Sequence, residues 1–259
     1  LLSNRNNDID VILYTQAPAI LPDDVRHIVV GDITSTQSEA IKNGIGTLIF
    51  KHNADFIVEH KLGNSPNLSL IPWCHVFLSY WEMDYYATNP SIKRIIFVGR
   101  EMMDLYRDHK AFGKCAYIFN CLNVDIADQG QDIPFDVRDN VVTYMGALVP
   151  FKGFHLLAQA WPEIVKEVPD AQLYVIGSGK LYNKSAALGK WGIADEAYEA
   201  KFMPYLTDGD QILPNVHFMG TLGAEKYDIL KKTKVGVPNP SGITETFCLT
   251  AVEMQMMGA

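Results

Sequence analysis

Two glutamates eight positions apart, Glu245 and Glu253, frame the stretch "ETFCLTAVE" near the end of a sequence of 259 residues. Carboxylates accept hydrogen bonds from hydroxyl groups, and the segment between these two opens a helix. Thr244 and Thr246 are the side chains expected to cap it, with Leu249, Ala251, Val252 and Met256 carrying it on to Gly258. The unpaired backbone N–H groups at such a terminus attract an anion. Glu245 then lies just ahead of the helix, aimed at whatever is attached to a bound phosphate. Glu253, expected two turns inside, suits vicinal hydroxyls such as those of a ribose. A capped surface helix with one more acid on its wet face would share this spacing, so other parts of the chain must decide.

Two further junctions bear on the question. In "YMGALVPFKGF" an apolar run ends at Gly146, where a ligand or backbone can come close, and Lys152 follows as a compact charge suited to phosphate. In "VIGSGKLY", Gly177 and Gly179 form G-x-G without the third glycine of the dinucleotide fingerprint. The expectation there is a tight turn against which a base or ribose lies. A pyrophosphate with a nucleoside on one side and a hydroxyl-rich group on the other would use every one of these features.

The elements that must position them alternate. "DVILYTQ" (10–16), "HIVVGD" (27–32), "GTLIFKH" (46–52), "LSLIPWCHVFLSY" (68–80), "RIIFVG" (94–99) and "CAYIFN" (115–120) predict strands. Their apolar residues run consecutively, as in strands buried on both faces of a parallel sheet. "STQSEAIKNG" and "REMMDLYRDHKAFG" predict helices between them, each stopped by Gly. The polar stretch 121–140 has no periodicity and predicts a linker. Beyond it, strands are expected over 140–148, 172–179, 215–222 and 234–241, and helices over 153–171 and 223–233, with Pro162 kinking or splitting the first of these. Strands alternating with helices on both sides of a linker imply two α/β sheets.

Composition narrows the function. A net charge of −8 argues against a chain whose task is coating nucleic acid or anionic lipid. Hydrophobic residues at 48% supply two cores, and no apolar run approaches the ~18–20 residues that span a bilayer. The four cysteines (Cys74, Cys115, Cys121, Cys248) show no C-x-x-C pair and no zinc spacing, so no metal site is expected, and reduced, mostly buried thiols point to the cytoplasm.

On these residues the chain resembles the retaining glycosyltransferases of family 4. The resemblance covers 140–259, with Gly146, Lys152-Gly153, Gly177, Gly179, Gly220 and the E-x7-E pair in the family's order. It implies a fold of α/β class, GT-B, with two Rossmann-like parallel-sheet domains facing across a cleft. The domains expected are an acceptor-side domain over 1–125, a linker over 126–139 and a nucleotide-sugar donor domain over 140–259. The resemblance further implies that Lys152, Gly146 and the backbone around Thr246, Phe247 and Cys248 bind the donor diphosphate. Glu245 faces the donor sugar, Glu253 the ribose, and Gly177, Gly179 and Thr221 border the base. More loosely, "IPWCHVFLS" is similar to the strand carrying an active-site histidine, here His75. A packed strand histidine beside Trp73 is the alternative. No cofactor or metal is implied. The partners implied are a nucleotide-sugar donor and a carbohydrate or lipid-linked acceptor, with no nucleic acid. A lipid-linked acceptor would add peripheral contact at the inner membrane face.

The chain departs from the family in places. Ala147 stands where an arginine is usual, and Thr246 and Cys248 flank Phe247 where glycines are common. Both ends fall short of the family's pattern, so a fragment is expected. A sugar-nucleotide epimerase and a non-catalytic nucleotide-sugar-binding scaffold therefore stay open as alternatives. A phosphorylase is disfavoured because it needs a lysine-bound pyridoxal phosphate and a much longer chain. A nicotinamide oxidoreductase fits poorly without the full glycine fingerprint.

Overall fold

Consecutive apolar residues become strands here because both faces of the central strands are covered. The computed structural model describes residues 10–21, 23, 25–122, 133–242 and 245–259. The chain divides into two units, Leu1–Phe119 and Asn120–Ala259.

In the first unit, β1 (Ile12–Thr15) and β2 (Arg26–Val29) form a parallel pair. Helix α1 (Ile33–Lys42) is capped by Asp32, which accepts from the Ser35 N–H at 2.7 Å. Then follow β3 (Thr47–Lys51), α2 (Asp55–Val58), β4 (Ser69–Cys74), α3 (Tyr80–Thr88), β5 (Ile95–Phe97), α4 (Arg100–Asp104) and β6 (Cys115–Tyr117). The strands pair in parallel in the order β3-β4-β5-β6. The strand expected over 68–80 stops at Cys74, and its last residue instead begins α3. The cause is a capping arrangement in which Glu82 accepts from the Ser79 N–H at 2.6 Å and the Ser79 hydroxyl at 2.5 Å. The helix expected over 100–113 ends at Asp104.

The second unit contains β7 (Val141–Met145), α5 (Phe154–Glu167), β8 (Gln172–Ile176), α6 (Glu196–Phe202), β9 (Thr207–Asp208), β10 (Gln211–Ile212), β11 (Val216–Gly220), α7 (Lys226–Leu230), β12 (Val235–Val237) and α8 (Leu249–Met256). Its main sheet is parallel, in the order β11-β8-β7-β12. Neighbouring strand residues serve opposite faces. Tyr144 and Val175 join Phe154, Leu157 and Trp161 of α5 and Phe202 of α6 in one core. Met145 and Ile176 join Tyr227 and Leu230 of α7 and Met254 of α8 in another.

Further expectations need correction in the second unit. Helix α5 runs through Pro162 as one element, so the proline does not split it. The proline removes one helical hydrogen bond, but the fully buried Ala158 and Trp161 on the turn before it hold the helix to the core. Helix α8 starts at Leu249 with Cys248 at its cap position, in a non-helical conformation (φ −82°, ψ 86°) and without a side-chain capping bond. Thr246 therefore sits two residues ahead of the cap, and Thr244 lies outside the described residues. Glu253 is one turn into the helix instead of two.

Of the expected linker, 126–132 falls outside the described residues. The remainder is tied to the second unit by Arg138, a buried guanidinium that donates to the carbonyls of Ile133, Thr233 and Met257 at 3.1, 2.8 and 2.9 Å.

Candidate functional site

Within the second unit's main sheet the strands follow the spatial order third, second, first, fourth, so the chain changes direction across the sheet between β7 and β12. At such a switch point the loops leaving the two strands diverge and open a crevice at the carboxyl ends. The loop after β7 carries Gly146 to Lys152. The loop after β12 carries Pro238 to Cys248. Between them lies a cavity of about 380 Å³ lined by Gly146, Lys152, Glu245, Phe247 and Cys248, among others.

Glycines fold these loops together. Lys152 ends a short 3-10 turn, and Gly153 follows at φ +73°, a left-handed conformation that side-chain-bearing residues avoid. A Cβ at Gly153 would come within 2.6 Å of the Ser241 nitrogen, so the β12 loop rests directly on this turn. The Ser241 hydroxyl reaches the Phe151 carbonyl at 2.6 Å and Asn239 Oδ1 at 2.8 Å. That contact delivers Asn239 and Glu245 to the lysine. Lys152 Nζ donates to Glu245 Oε2 at 2.7 Å, and Asn239 Nδ2 donates to the same oxygen at 2.9 Å.

Lys152 and Glu245 keep 16% and 24% of their side-chain surface exposed, so the pair is sheltered yet open to the cavity. Burial pushes the Glu245 carboxyl upward, but the hydrogen bonds from Lys152 and Asn239 and the lysine's charge outweigh it, leaving it below the usual value. The group is therefore a carboxylate at neutral pH. An ammonium has three N–H donors, of which Glu245 takes one. The arrangement offers an anion a cation and the N-terminal turn of α8, and offers hydroxyls a fixed acceptor.

Glu253 is held separately. It is buried, and its Oε1 receives the Lys226 ammonium at 2.5 Å and the Tyr227 hydroxyl at 3.1 Å. Burial, then the adjacent Glu253 charge, raises the Tyr227 phenol to about 12. Gly220 (φ +66°) ends β11, and the exposed Thr221 follows it into the loop before α7. At Gly177 (φ +148°) a Cβ would fall 1.8 Å from the Gly146 carbonyl oxygen, and at Gly179 2.7 Å from the Ala194 Cα. Close packing of this chain on itself already accounts for both glycines. The structure thus gathers Gly146, Lys152, Glu245, Phe247 and Cys248 around one cavity, with Thr246 between them in sequence. Gly177, Gly179, Thr221 and Glu253 do not line it.

His75 belongs to the first unit, directly after β4, with its ring 4.6 Å from that of Trp73. Burial, helped by the charge of Lys51, holds its pKa below the ordinary histidine value. Sequence reasoning missed His52, which follows β3 in a buried network. Its Nδ1 lies 2.6 Å from the Tyr86 hydroxyl and its Nε2 3.1 Å from Glu82 Oε1. The capping signal Ser79-x-x-Glu82 could have placed one member of that network.

A second cavity, of about 260 Å³, adjoins Trp191 and α6, and its buried acid is already occupied. Glu199 accepts from the N–H groups of Trp191, Ile193 and Ala194 at 3.0, 2.8 and 3.1 Å. Among the described residues no group of three or more His, Cys, Asp or Glu is placed to hold a metal ion. No described helix is long and apolar enough to cross a membrane.

Residues 139–259 match the family described as "Glycosyl transferases group 1". No curated protein sequence matches the chain. Among solved structures it is similar to a sucrose-phosphate synthase from Thermosynechococcus elongatus, with TM-score 0.60 and 19% identity over 88% of this chain and 58% of that one. A glycosyltransferase from Rickettsia africae aligns with TM-score 0.66 and 13% identity over 90% of this chain and 64% of that one. The HepE protein of Anabaena, in complex with UDP and glucose, aligns with TM-score 0.56 and 14% identity over 90% of this chain and 66% of that one. The chain spans less than two thirds of the length of each. These likenesses show the fold, an α/β architecture with parallel sheets of the GT-B type.

Proposed function

We propose that the protein, whose residues 139–259 match the glycosyl transferases group 1 family, moves a hexose-type sugar from a nucleotide-diphosphate sugar to a carbohydrate or lipid-linked acceptor. We assign it retention of anomeric configuration. The observation that carries this reading is the Lys152–Glu245 pair beside the first turn of α8, all opening into one cavity at the switch point of the sheet.

The donor diphosphate is assigned to Lys152 and the N–H groups of Phe247, Cys248 and the first turn of α8. As the bond from the anomeric carbon to the phosphate oxygen breaks, its electron pair stays with the leaving diphosphate. Fixed positive charge there lowers the barrier. Glu245, held ionised by Lys152 and Asn239, accepts hydrogen bonds from hydroxyls of the sugar and fixes its orientation. It is given a positioning role and no covalent one. Glu253 is assigned to the ribose, and Gly177, Gly179 and Thr221 to the border of the base. His75, neutral at pH 7 on the direction of its shift, is assigned to the acceptor side as a hydrogen-bonding group.

A second reading, a nucleotide-sugar binder without turnover, draws on Ala147. That position is buried and carries no cation beside the cavity it lines.

The test is calorimetric titration of UDP, GDP and ADP, then of their sugars, into the full-length protein. Micromolar binding of one of them, lost in Lys152→Ala, supports the donor site. Release of free sugar or transfer to an added glycoside then separates an enzyme from a binder. No binding to the folded protein by any of the three sinks the proposal.

A further inference from the structure

Phe151 and Tyr182 are large aromatic side chains left 42% and 65% exposed. Their rings lie nearly parallel, with 5.9 Å between centroids and 22° between planes. They come from different loops: Phe151 immediately precedes Lys152 after β7, and Tyr182 follows the turn after β8. Tyr182 and its neighbour Leu181 form a wall of the same cavity that Lys152 and Glu245 line. Leaving two such rings partly in water forgoes burial that rings of this size ordinarily gain. A ring kept out of the core, stacked on a second and set against a polar pair, is suited to a ligand with one flat apolar face and a polar edge.

A pyranose has that form. Its axial C–H groups make one face apolar, while its hydroxyls project from the rim toward donors and acceptors such as Lys152 and Glu245. A nucleobase also has a flat face, but the ribose carboxylate lies elsewhere. Glu253 is bonded to α7, and α7 and α8 share a core on one face of the sheet. The aromatic pair belongs to the loops that lead toward α5 and α6, which share the core on the opposite face.

Resting on the donor-site reading above, we propose that Tyr182, backed by Phe151, is a stacking platform for a pyranose ring at the cavity. The ring comes from one of two sources, the hexose of the donor or a sugar of the acceptor.

Both residues are exposed, so substitution leaves the fold intact. The tightest-binding nucleotide among UDP, GDP and ADP, and its sugar conjugate, are titrated into the wild-type protein, Tyr182→Ala and Tyr182→Phe. A panel of methyl hexosides is then titrated with that nucleotide saturating. If the platform holds the donor hexose, Tyr182→Ala leaves the bare nucleotide within about twofold and weakens the conjugate about fivefold to tenfold, the scale of an aromatic contact, while Tyr182→Phe binds as wild type. If it holds an acceptor sugar, both nucleotides bind unchanged and hexoside binding weakens by that factor in Tyr182→Ala alone. If Tyr182→Ala alters neither, the platform is overturned while the donor site stands. If no nucleotide binds the folded protein, both readings fall.

Discussion

In the second unit the order β11-β8-β7-β12 turns back between β7 and β12, and the loops leaving those strands part around a cavity. In the first unit β3-β4-β5-β6 runs on without a turn, and the end of β3 leads into the closed network of His52, Glu82 and Tyr86. Each unit sets a glutamate beside a basic residue. Glu82 and His52 have side chains only 7% and 2% exposed, and their hydrogen bonds stay inside the protein. Glu245 and Lys152 retain 24% and 16%, with space for a ligand alongside. Similar chemistry is therefore closed inside the fold in one unit and left open to a cavity in the other, where the strand order turns back.

Breaking the cavity pair should have the largest effect. Glu245→Gln keeps the shape and removes the charge, so the donor sugar loses its orientation. Turnover should fall on the order of a hundredfold, the cost of a small misplacement of a reacting group. Nucleoside diphosphate affinity should change by no more than about threefold. Equal losses in steady-state kinetics and calorimetry would remove the sugar-positioning role. Lys152→Ala acts on the other half of the pair. It should weaken nucleoside diphosphate binding by about 1.5–3 kcal/mol, the worth of a hydrogen bond to a charged group. Unchanged affinity would take Lys152 out of the site.

The two units also differ in what their sequences disclosed. The meeting of the β7 and β12 loops was legible because Gly146, Lys152, Gly153 and Glu245 are residue types that suit close loop packing and a polar cavity. Left-handed Gly153 and the contact of Ser241 upon it explain physically why the spacing works. The start of α8 was misplaced because threonine's capping preference was weighed without the backbone, which stays non-helical for two residues past Thr246, through Cys248. Helix α3 was hidden under aromatic residues that also suit strands, although Ser79 and Glu82 announced its start. Nothing in the apolar run "GTLIFKH" signals that His52 meets residues 30 and 34 positions away. Tyr182 closes the stretch "VIGSGKLY", which was read only for its glycine turn, so its place beside the cavity depended on the fold.

Loosening the closed network should affect stability and leave ligand binding alone. Glu82→Ala deprives both the Ser79 N–H and the His52 ring of an acceptor in a buried place. Urea denaturation should show a loss of about 1–3 kcal/mol, the cost of leaving buried polar groups unpaired. Nucleoside diphosphate affinity should match wild type at temperatures where the variant is folded. A variant as stable as wild type would mean that the network contributes nothing to the first unit. One that lost affinity while folded would undo the contrast between the units.

The smallest effect expected is a pH dependence of stability. Burial holds the His52 pKa below its ordinary value of 6.5, and Glu82 only partly restores it. Below pH 6.5 the unfolded chain therefore binds a proton that the folded chain resists, so protonation favours unfolding. Stability from this group is complete above pH 6.5 and declines as pH falls from there toward the depressed folded value. His75 and His155 are depressed by burial as well and tilt the curve the same way. His52→Gln, which retains a donor for Glu82 but cannot titrate, should reduce the slope between pH 6.5 and 5 without abolishing it. Chemical denaturation at half-unit pH intervals measures that slope. An unchanged slope in the variant would mean that His52 takes up its proton equally in the folded and unfolded chain, so that burial does not hold its pKa down.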